Sequence, residues 1–416
     1  MKKRTYQSKK INQIDWEKVK MSINGEPIVF AIDVAKTEQF ALLSYHNNQS
    51  SQHIRWQHPQ ETRLMLSQLE NMDCPVVVVM ESTSTYGDAL RYQCQQKGFE
   101  IHQANAKRVH DAKEVYDGVP SLHDAKSASI IGRFYWDGLT VPWQELSEKQ
   151  RHMSALCREY EIHQSQYLRN LNRLEAYLSR HWPEVMNIIE TGSVSLEQLL
   201  ISYGTPQQVA ANASEARAIL KKACRNMLSQ EKIGKIIESA INTLGVPCIE
   251  AEKQFLQALA QEMMHSRLAQ RQAQKALEAE VDREKTLTCM AKLIGRLTTA
   301  VLLSLHLDPR NYHCARSFLK AAGLNLKEKS SGRYVGQLKL TKRGSAKARQ
   351  YLYFAALRLI QSCPLAKQWY EKKMTPKAKN KAVIAVMRKL TSALWYVSRG
   401  EEYDPRKLFN VSTKPA

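Results

Sequence analysis

The run Val76-Val77-Val78-Val79-Met80, ending on Glu81, limits the fold more than any other feature of the chain. Four β-branched residues in a row favour a strand, no polar residue marks a solvent face, and five residues are too few for an ordinary helix. The run therefore reads as a strand buried on both faces. Such a strand needs helices above and below its sheet, and residues 27–138 supply them. Ile28-Val29-Phe30-Ala31-Ile32 and Phe40-Ala41-Leu42-Leu43 read as two further strands, with helix-length segments near residues 60–71, 86–97, 107–116 and 124–134. Only Asp33 to Gln39 separates the first two strands, which predicts an antiparallel hairpin rather than a helical crossover. The expectation is a mixed α/β sheet flanked by helices.

From residue 144 the pattern turns helical. Met153, Leu156, Tyr160, Tyr167, Leu171, Leu174 and Leu178 recur at mostly three- and four-residue spacing, giving a long helix one apolar face. A second long polar helix, about 250–285, contains no Gly or Pro, and the two predict an antiparallel coiled coil within one chain or between chains. From residue 287 the chain is compact again and strongly basic. Of a net charge of +21, most resides between Lys327 and Lys389, which hold 17 Lys/Arg against two acids. Nucleic acid is the commonest partner that neutralises such a surplus. Tyr334, Tyr351, Tyr353, Phe354, Trp369 and Tyr370 interleave with these cations, and the helical periodicity of residues 351–360 assigns most of them to core packing. Four segments result: a basic N-terminal arm (1–24), an α/β domain (25–143), a helical coiled-coil region (144–286) and a mainly α-helical basic domain (287–416).

No apolar run approaches the roughly 18 residues of a membrane span, and Met1-Lys2-Lys3-Arg4 opens a polar stretch without a secretory signal's apolar core. A soluble, cytoplasmic chain with no membrane partner is expected. The eight cysteines are spread singly without a CxxC pair, so neither a zinc site nor a disulfide framework is indicated.

Asp33 ends the first strand and Glu81 ends the buried one, at the strand ends where ligands bind in α/β sheets. Either acid could instead be a helix N-cap or a solvated loop residue. A carboxylate abutting buried β-branched residues needs compensation, which a divalent cation supplies. Asp124 opens a helix after the turn Asp117-Gly118-Val119-Pro120. Convergence of these three acids would form a site for magnesium or manganese that orients phosphodiester oxygens. In the basic domain, Ser330-Ser331-Gly332 presents hydroxyls on a backbone that Gly332 leaves free to approach a phosphate. A solvated turn between two helical stretches is the alternative. Lys327, Lys329, Arg333, Lys339, Lys342 and Arg343, with Lys36 beside the first acid, are candidates to hold a nucleic-acid backbone.

Ile32-Asp33-Val34-Ala35-Lys36, Val79-Met80-Glu81-Ser82-Thr83-Ser84-Thr85-Tyr86-Gly87 and Pro120-Ser121-Leu122-His123-Asp124-Ala125-Lys126-Ser127-Ala128 resemble, in order, the RuvC-like (RNase H-like) four-carboxylate DEDD domain of the insertion sequence 110 transposases, which Piv-type DNA invertases share. Leu293-Ile294-Gly295-Arg296-Leu297-Thr298-Thr299-Ala300 resembles the helix-hairpin-helix-like opening of that family's C-terminal domain, without its usual proline and first glycine. Phe318-Leu319-Lys320-Ala321-Ala322-Gly323-Leu324, Ser330-Ser331-Gly332-Arg333-Tyr334-Val335-Gly336 and Leu340-Thr341-Lys342-Arg343-Gly344-Ser345 resemble the run that carries the family's nucleophilic serine. Residue matching makes that serine Ser331, with Ser330 as the fallback. One position departs: the family's second acid of the third motif is Ser127 here, and Asp117, His123 and Asp137 lie off the expected spacing.

The resemblance implies a DNA transposase that cuts and exchanges strands through a 5′-phosphoserine, with Mg2+ (or Mn2+) on Asp33, Glu81 and Asp124. It further implies a structured bridge RNA pairing with donor and target double-stranded DNA, and a dimer or tetramer in which carboxylates and serine from different subunits complete one centre. The alternatives are a site-specific DNA invertase, a metal-dependent resolvase or nuclease that uses water, and a catalytically inert nucleic-acid-binding protein.

Overall fold

The computed structural model describes residues 6–81, 85–223, 227–328, 330–331, 334–336, 338–375 and 378–409, excepting the side chains of residues 330, 331, 334 and 335. It divides into two compact units, Met1–Glu145 and Leu146–Ala416.

The first unit runs β1 (Lys9–Lys10), α1 (Trp16–Ile23), β2 (Ile28–Asp33), β3 (Glu38–Tyr45), β4 (Ser50–Gln57), α2 (Thr62–Glu70), β5 (Val76–Glu81), α3 (Asp88–Gln96), β6 (Glu100–Ala104), α4 (Ala106–Asp111), α5 (Asp124–Trp136) and β7 (Val141–Pro142). The sheet order is β1-β4-β3-β2-β5-β6-β7. β2, β3 and β4 are antiparallel neighbours, so the expected hairpin forms, while β2, β5 and β6 run parallel. The valine run lies between two parallel partners, where its lack of a polar face is satisfied.

Alternation sorts the side chains into two layers. Phe30, Ile32, Val78 and Met80 pack with Met65 and Leu69 of α2 and with Leu90 and Cys94 of α3. Val29, Ala31, Val77 and Val79 pack with Val109 of α4 and with Ala128 and Ile131 of α5. Gly132 lets α5 sit close to the sheet, since a Cβ there would lie 3.2 Å from both the Ala31 Cβ and the Leu42 Cδ2. The basic arm expected at residues 1–24 packs onto the first of these layers over residues 11–23. Ile11, Ile14 and Ile23 are buried and Trp16 and Val19 pack against the same core, because these sparse apolar residues recur on one face of an otherwise basic segment. β1 pairs in parallel with β4. Residues 1–5 lie outside the described residues.

The second unit runs α6 (Glu148–His181), α7 (Val194–Tyr203), α8 (Pro206–Ala211), α9 (Ala213–Ala223), α10 (Gln230–Ile241), α11 (Glu250–Asp282), α12 (Lys285–Ile294), α13 (Arg296–Ser304), α14 (Ala315–Ala321), β8 (Leu326–Lys327), β9 (Ser330–Ser331), β10 (Tyr334–Val335), β11 (Lys339–Leu340), α15 (Ala346–Ser362), α16 (Pro364–Lys373), α17 (Lys379–Val397) and α18 (Pro405–Leu408). α6 and α11 pair antiparallel within the chain: His152 meets Glu280 at 3.5 Å toward one end, and Arg180 meets Glu252 at 3.8 Å toward the other. Their ends enter two cores. Leu174, Leu178 and Met263 join Leu199 and Ile236 in one, while Met153, Leu277 and Val281 join Val301, Leu352 and Leu390 in the other. Tyr351, Tyr353, Trp369 and Tyr370 pack against that second core, whereas Phe354 is exposed. Among the described residues no single helix is long and apolar enough to cross a membrane; α12 and α13 together are bent by 115°.

The segment around the two serines is not a plain turn between helices. β8 pairs antiparallel with β11, and β9 pairs antiparallel with β10, giving two nested ladders. Strand-favouring Tyr334 and Val335 fall in these ladders with Leu326 and Leu340, and Leu340 packs onto the core.

Candidate functional site

In the β2–β5 register Ile32 lies opposite Met80, so Asp33 and Glu81 follow side by side at the carboxyl ends of two parallel strands. By alternation both belong to the face that α5 covers. Asp124 is the first residue of α5, and the His123 side chain caps that helix by accepting from the Lys126 N–H. The carboxyl groups sense one another. Asp33 is pushed up to about 7, first by burial and then by the negative charges of Glu81 and Asp124, while a hydrogen bond with Ser127 pulls it back. Burial also raises Glu81. Among the described residues no basic side chain offsets either shift. No choice of one oxygen from each of the three carboxylates brings all three within 4.8 Å of one another. A set of hard oxygen donors with uncompensated charge fits a divalent cation of the magnesium or manganese class.

Ser127 follows Asp124 by about one helical turn and is buried, so a neutral donor to Asp33 stands where a fourth charge would otherwise add to the repulsion. The other three candidates for that charge are engaged elsewhere. Asp117 accepts from Lys126 Nζ at 2.8 Å, from the Tyr6 hydroxyl at 2.7 Å and from the Val119 N–H at 2.9 Å. The Lys126 ammonium leads in holding it at about 2. Asp137 accepts from the Tyr116 hydroxyl at 2.8 Å, and His123 is the cap. Lys126 is a site-building residue that sequence reasoning missed. It is 2% exposed, and its ammonium also donates to the Val119 carbonyl at 2.7 Å, fastening the turn before α5 to the helix that carries Asp124. A lysine inside a run of small helix residues was the available signal. Lys36 is exposed in the β2–β3 connection, which buried Gln39 closes by accepting from the Ala35 N–H at 3.1 Å.

In the second unit Ser331 lies on β9 opposite Tyr334, and Ser330 opposite Val335. The base of the nested hairpin is welded by two glycines. A Cβ at Gly344 would lie 2.6 Å from the Ala321 carbonyl oxygen and 2.8 Å from the Gly323 nitrogen, and Gly344 and Gly323 have φ of +120° and +73°. These glycines of the family-like run therefore let two backbones touch. The Thr341 N–H donates to the Asn325 carbonyl at 2.8 Å beside the β8–β11 ladder.

Lys327, Lys339, Lys342 and Arg343 are exposed; Lys329 and Arg333 lie outside the described residues. Lys327 and Lys339 are direct cross-strand partners. Like charges so placed are unfavourable until an anion lies across them. Beside them a cavity of about 580 Å³ has Leu338, Leu340, Ile384 and Ala385 among its lining residues, with Lys342 and Arg388 alongside.

Two family models match the chain. One, described as Transposase, is the DEDD model of insertion sequence 110 and covers residues 30–183; the other, described as Transposase IS116/IS110/IS902 family, covers residues 291–371. The first spans Asp33, Glu81 and Asp124, and the second spans the glycine-welded hairpin with Ser330 and Ser331. No curated protein matches the chain. A seven-stranded mixed sheet followed by helical regions is the architecture of a RuvC-like N-terminal domain with a helical C-terminal part. The chain belongs to the insertion sequence 110 family of transposases and is a DNA transposase.

Proposed function

We propose that this transposase cuts and exchanges DNA strands with Ser331 as nucleophile, served by a divalent-metal site on Asp33, Glu81 and Asp124. The observation that carries the reading is the carboxylate corner, whose charge no basic side chain offsets among the described residues. Bound there, Mg2+ or Mn2+ supplies Lewis-acid stabilisation of charge on a phosphodiester. The chain's own groups do the rest. The Ser331 Oγ–phosphorus bond forms as the bond from phosphorus to the 3′ oxygen breaks; the hydroxyl proton ends on that oxygen, leaving a 5′-phosphoserine and a free 3′-OH. Attack by the 3′-OH of another strand reverses the step and regenerates the serine. Lys327, Lys339, Lys342 and Arg343 hold the backbone at the hairpin, and Lys329 and Arg333, which lie outside the described residues, are further candidates by sequence.

A structured bridge RNA pairing with donor and target DNA agrees with the net charge of +21 and with a basic surface that reads backbone rather than sequence. The working species is a dimer or tetramer. The test is to trap a covalent protein–DNA adduct on a substrate bearing the element's ends, with its RNA present. Adduct is expected with the wild-type chain and Ser330→Ala, and none with Ser331→Ala. Strand cleavage that persists in Ser331→Ala without adduct would replace this reading with hydrolysis by water.

A further inference from the structure

The end of the α6–α11 pair holds a second group of ligating side chains, built differently from the carboxylate corner. A ring nitrogen of His181, Cys248 Sγ and a Glu252 oxygen all lie within 4.8 Å of one another, the only such His/Cys/Asp/Glu group among the described residues. They come from the last residue of α6, the segment preceding α11 and the first turn of α11. Cys248 and Glu252 lie between the two stretches that the family models match.

The arrangement is preformed. His181 is fully buried, and its Nδ1 is 2.7 Å from the Val246 carbonyl oxygen, which can only accept. Nδ1 therefore carries a hydrogen, and in the neutral ring Nε2 presents a lone pair. That Nε2 is buried without a hydrogen-bond partner among the described residues and lies 3.8 Å from Glu252 Oε1. Glu252 uses Oε2 to accept from the Ile249 N–H at 3.1 Å, which leaves Oε1 for the site. The connecting loop is pinned to α6, since the Val246 N–H donates to the Arg180 carbonyl at 2.9 Å. At Gly245 an added Cβ would fall 2.1 Å from the His181 carbonyl oxygen. A ring fixed through one nitrogen by a backbone carbonyl, with the other left bare, is how metal-binding histidines are oriented.

We propose that His181, Cys248 and Glu252 bind a borderline transition-metal ion, Zn2+ by chemistry, which clasps the α6 terminus, the loop and α11 together and keeps its fourth position for water. A neutral imidazole, a thiolate and a carboxylate together carry the two negative charges that balance a divalent ion. Sulfur and imidazole select against magnesium. Ligand bonds of about 2.0–2.3 Å put tetrahedral ligands about 3.5 Å apart, so the side chains need to close by little more than 1 Å. Without metal, burial and Glu252 raise the Cys248 thiol, and the exposed Arg180 lies 3.8 Å from Glu252 as its counter-charge. Metal binding would release the thiol proton.

Full-length protein stripped with a chelator is titrated with Co2+ and followed by absorbance. One equivalent is expected to give a thiolate-to-cobalt charge-transfer band with tetrahedral visible bands. Zn2+ should displace it and raise the melting temperature. Cys248→Ser should lose the band, Glu252→Gln should bind Co2+ at least tenfold more weakly, and Asp33→Asn should keep the band because the carboxylate corner offers no sulfur. Circular dichroism checks that each variant folds, and Glu252→Gln keeps an oxygen for the Ile249 cap should Cys248→Ser not fold. Wild-type protein with no charge-transfer band, or a band that a folded Cys248→Ser or Glu252→Gln variant retains at full affinity, would overturn the site.

Discussion

Asp33 and Glu81 end strands whose every other residue is buried, whereas Ser331 sits on a ladder two residues long. The acids are held at the ends of packed strands, so burial first, and then their repulsion, pushes Asp33 up to about 7. Ser331, the proposed nucleophile, brings no charge, and its ladder belongs to a hairpin with a glycine-welded base. The acids that repel one another end long buried strands, and the serine proposed as nucleophile sits on a two-residue ladder. Preorganised charge requires support from many neighbours, while a nucleophile requires mainly access.

The contrast can be broken in several places. The largest effect belongs to Ser331→Ala, which should cut adduct formation on the order of a thousandfold or more and leave the melting temperature almost unchanged. A large drop in stability would mean that the hairpin bears structural weight. Asp33→Asn should lower strand transfer by about a hundred- to a thousandfold yet stabilise the metal-free protein at neutral pH.

The sign follows from the raised pKa of Asp33, ordinarily 3.8 and about 7 in the fold. Below the lower value both folded and unfolded chains hold the proton, and there is no penalty. As pH rises through this interval only the unfolded chain releases it, so stability falls and the full cost stands above about 7. That cost is a few kcal/mol at most, discounted for a carboxyl that is not fully buried. Thermal melts of wild type and Asp33→Asn in chelator should therefore diverge with rising pH, and parallel curves would mean that burial and its acidic neighbours do not raise Asp33.

Gly344→Ala tests the other side of the comparison. The new Cβ meets backbone at a left-handed φ, which should cost about 2–3 kcal/mol and reduce adduct yield while leaving divalent-metal affinity intact. Ser127→Asp should sharpen the carboxylate side: about 1 kcal/mol lower stability without metal, and roughly tenfold tighter Mg2+ binding measured by calorimetry. The smallest effect is Lys327→Gln, expected to reduce the salt dependence of DNA binding by about one phosphate contact and to stabilise the free protein by a few tenths of a kcal/mol.

The centre of the sheet was legible because a strand buried on both faces has a composition that little else has. β2, β3 and β5, their hairpin, and the two long helices follow from apolar runs and periodicity. β4 was not legible: Ser50 to Gln57 is mostly polar, and only Ile54 and Trp56 are buried along it. β1 and α1 were hidden by their lysines, and the nested ladders by strands of two residues, below any period that a sequence can display. The positions of Asp33, Glu81 and Asp124 could be read because each ends or begins an element. The Lys126 clasp and the His181–Cys248–Glu252 group could not, because their partners meet only through tertiary packing.

β1 lies along the outer side of β4, so Lys9 and Lys10 close what would otherwise be an open row of backbone donors and acceptors. Two cations on a sheet margin also discourage a neighbouring molecule from extending it. Shortened versions of this transposase that begin after residue 10 would uncover that margin and should self-associate through it.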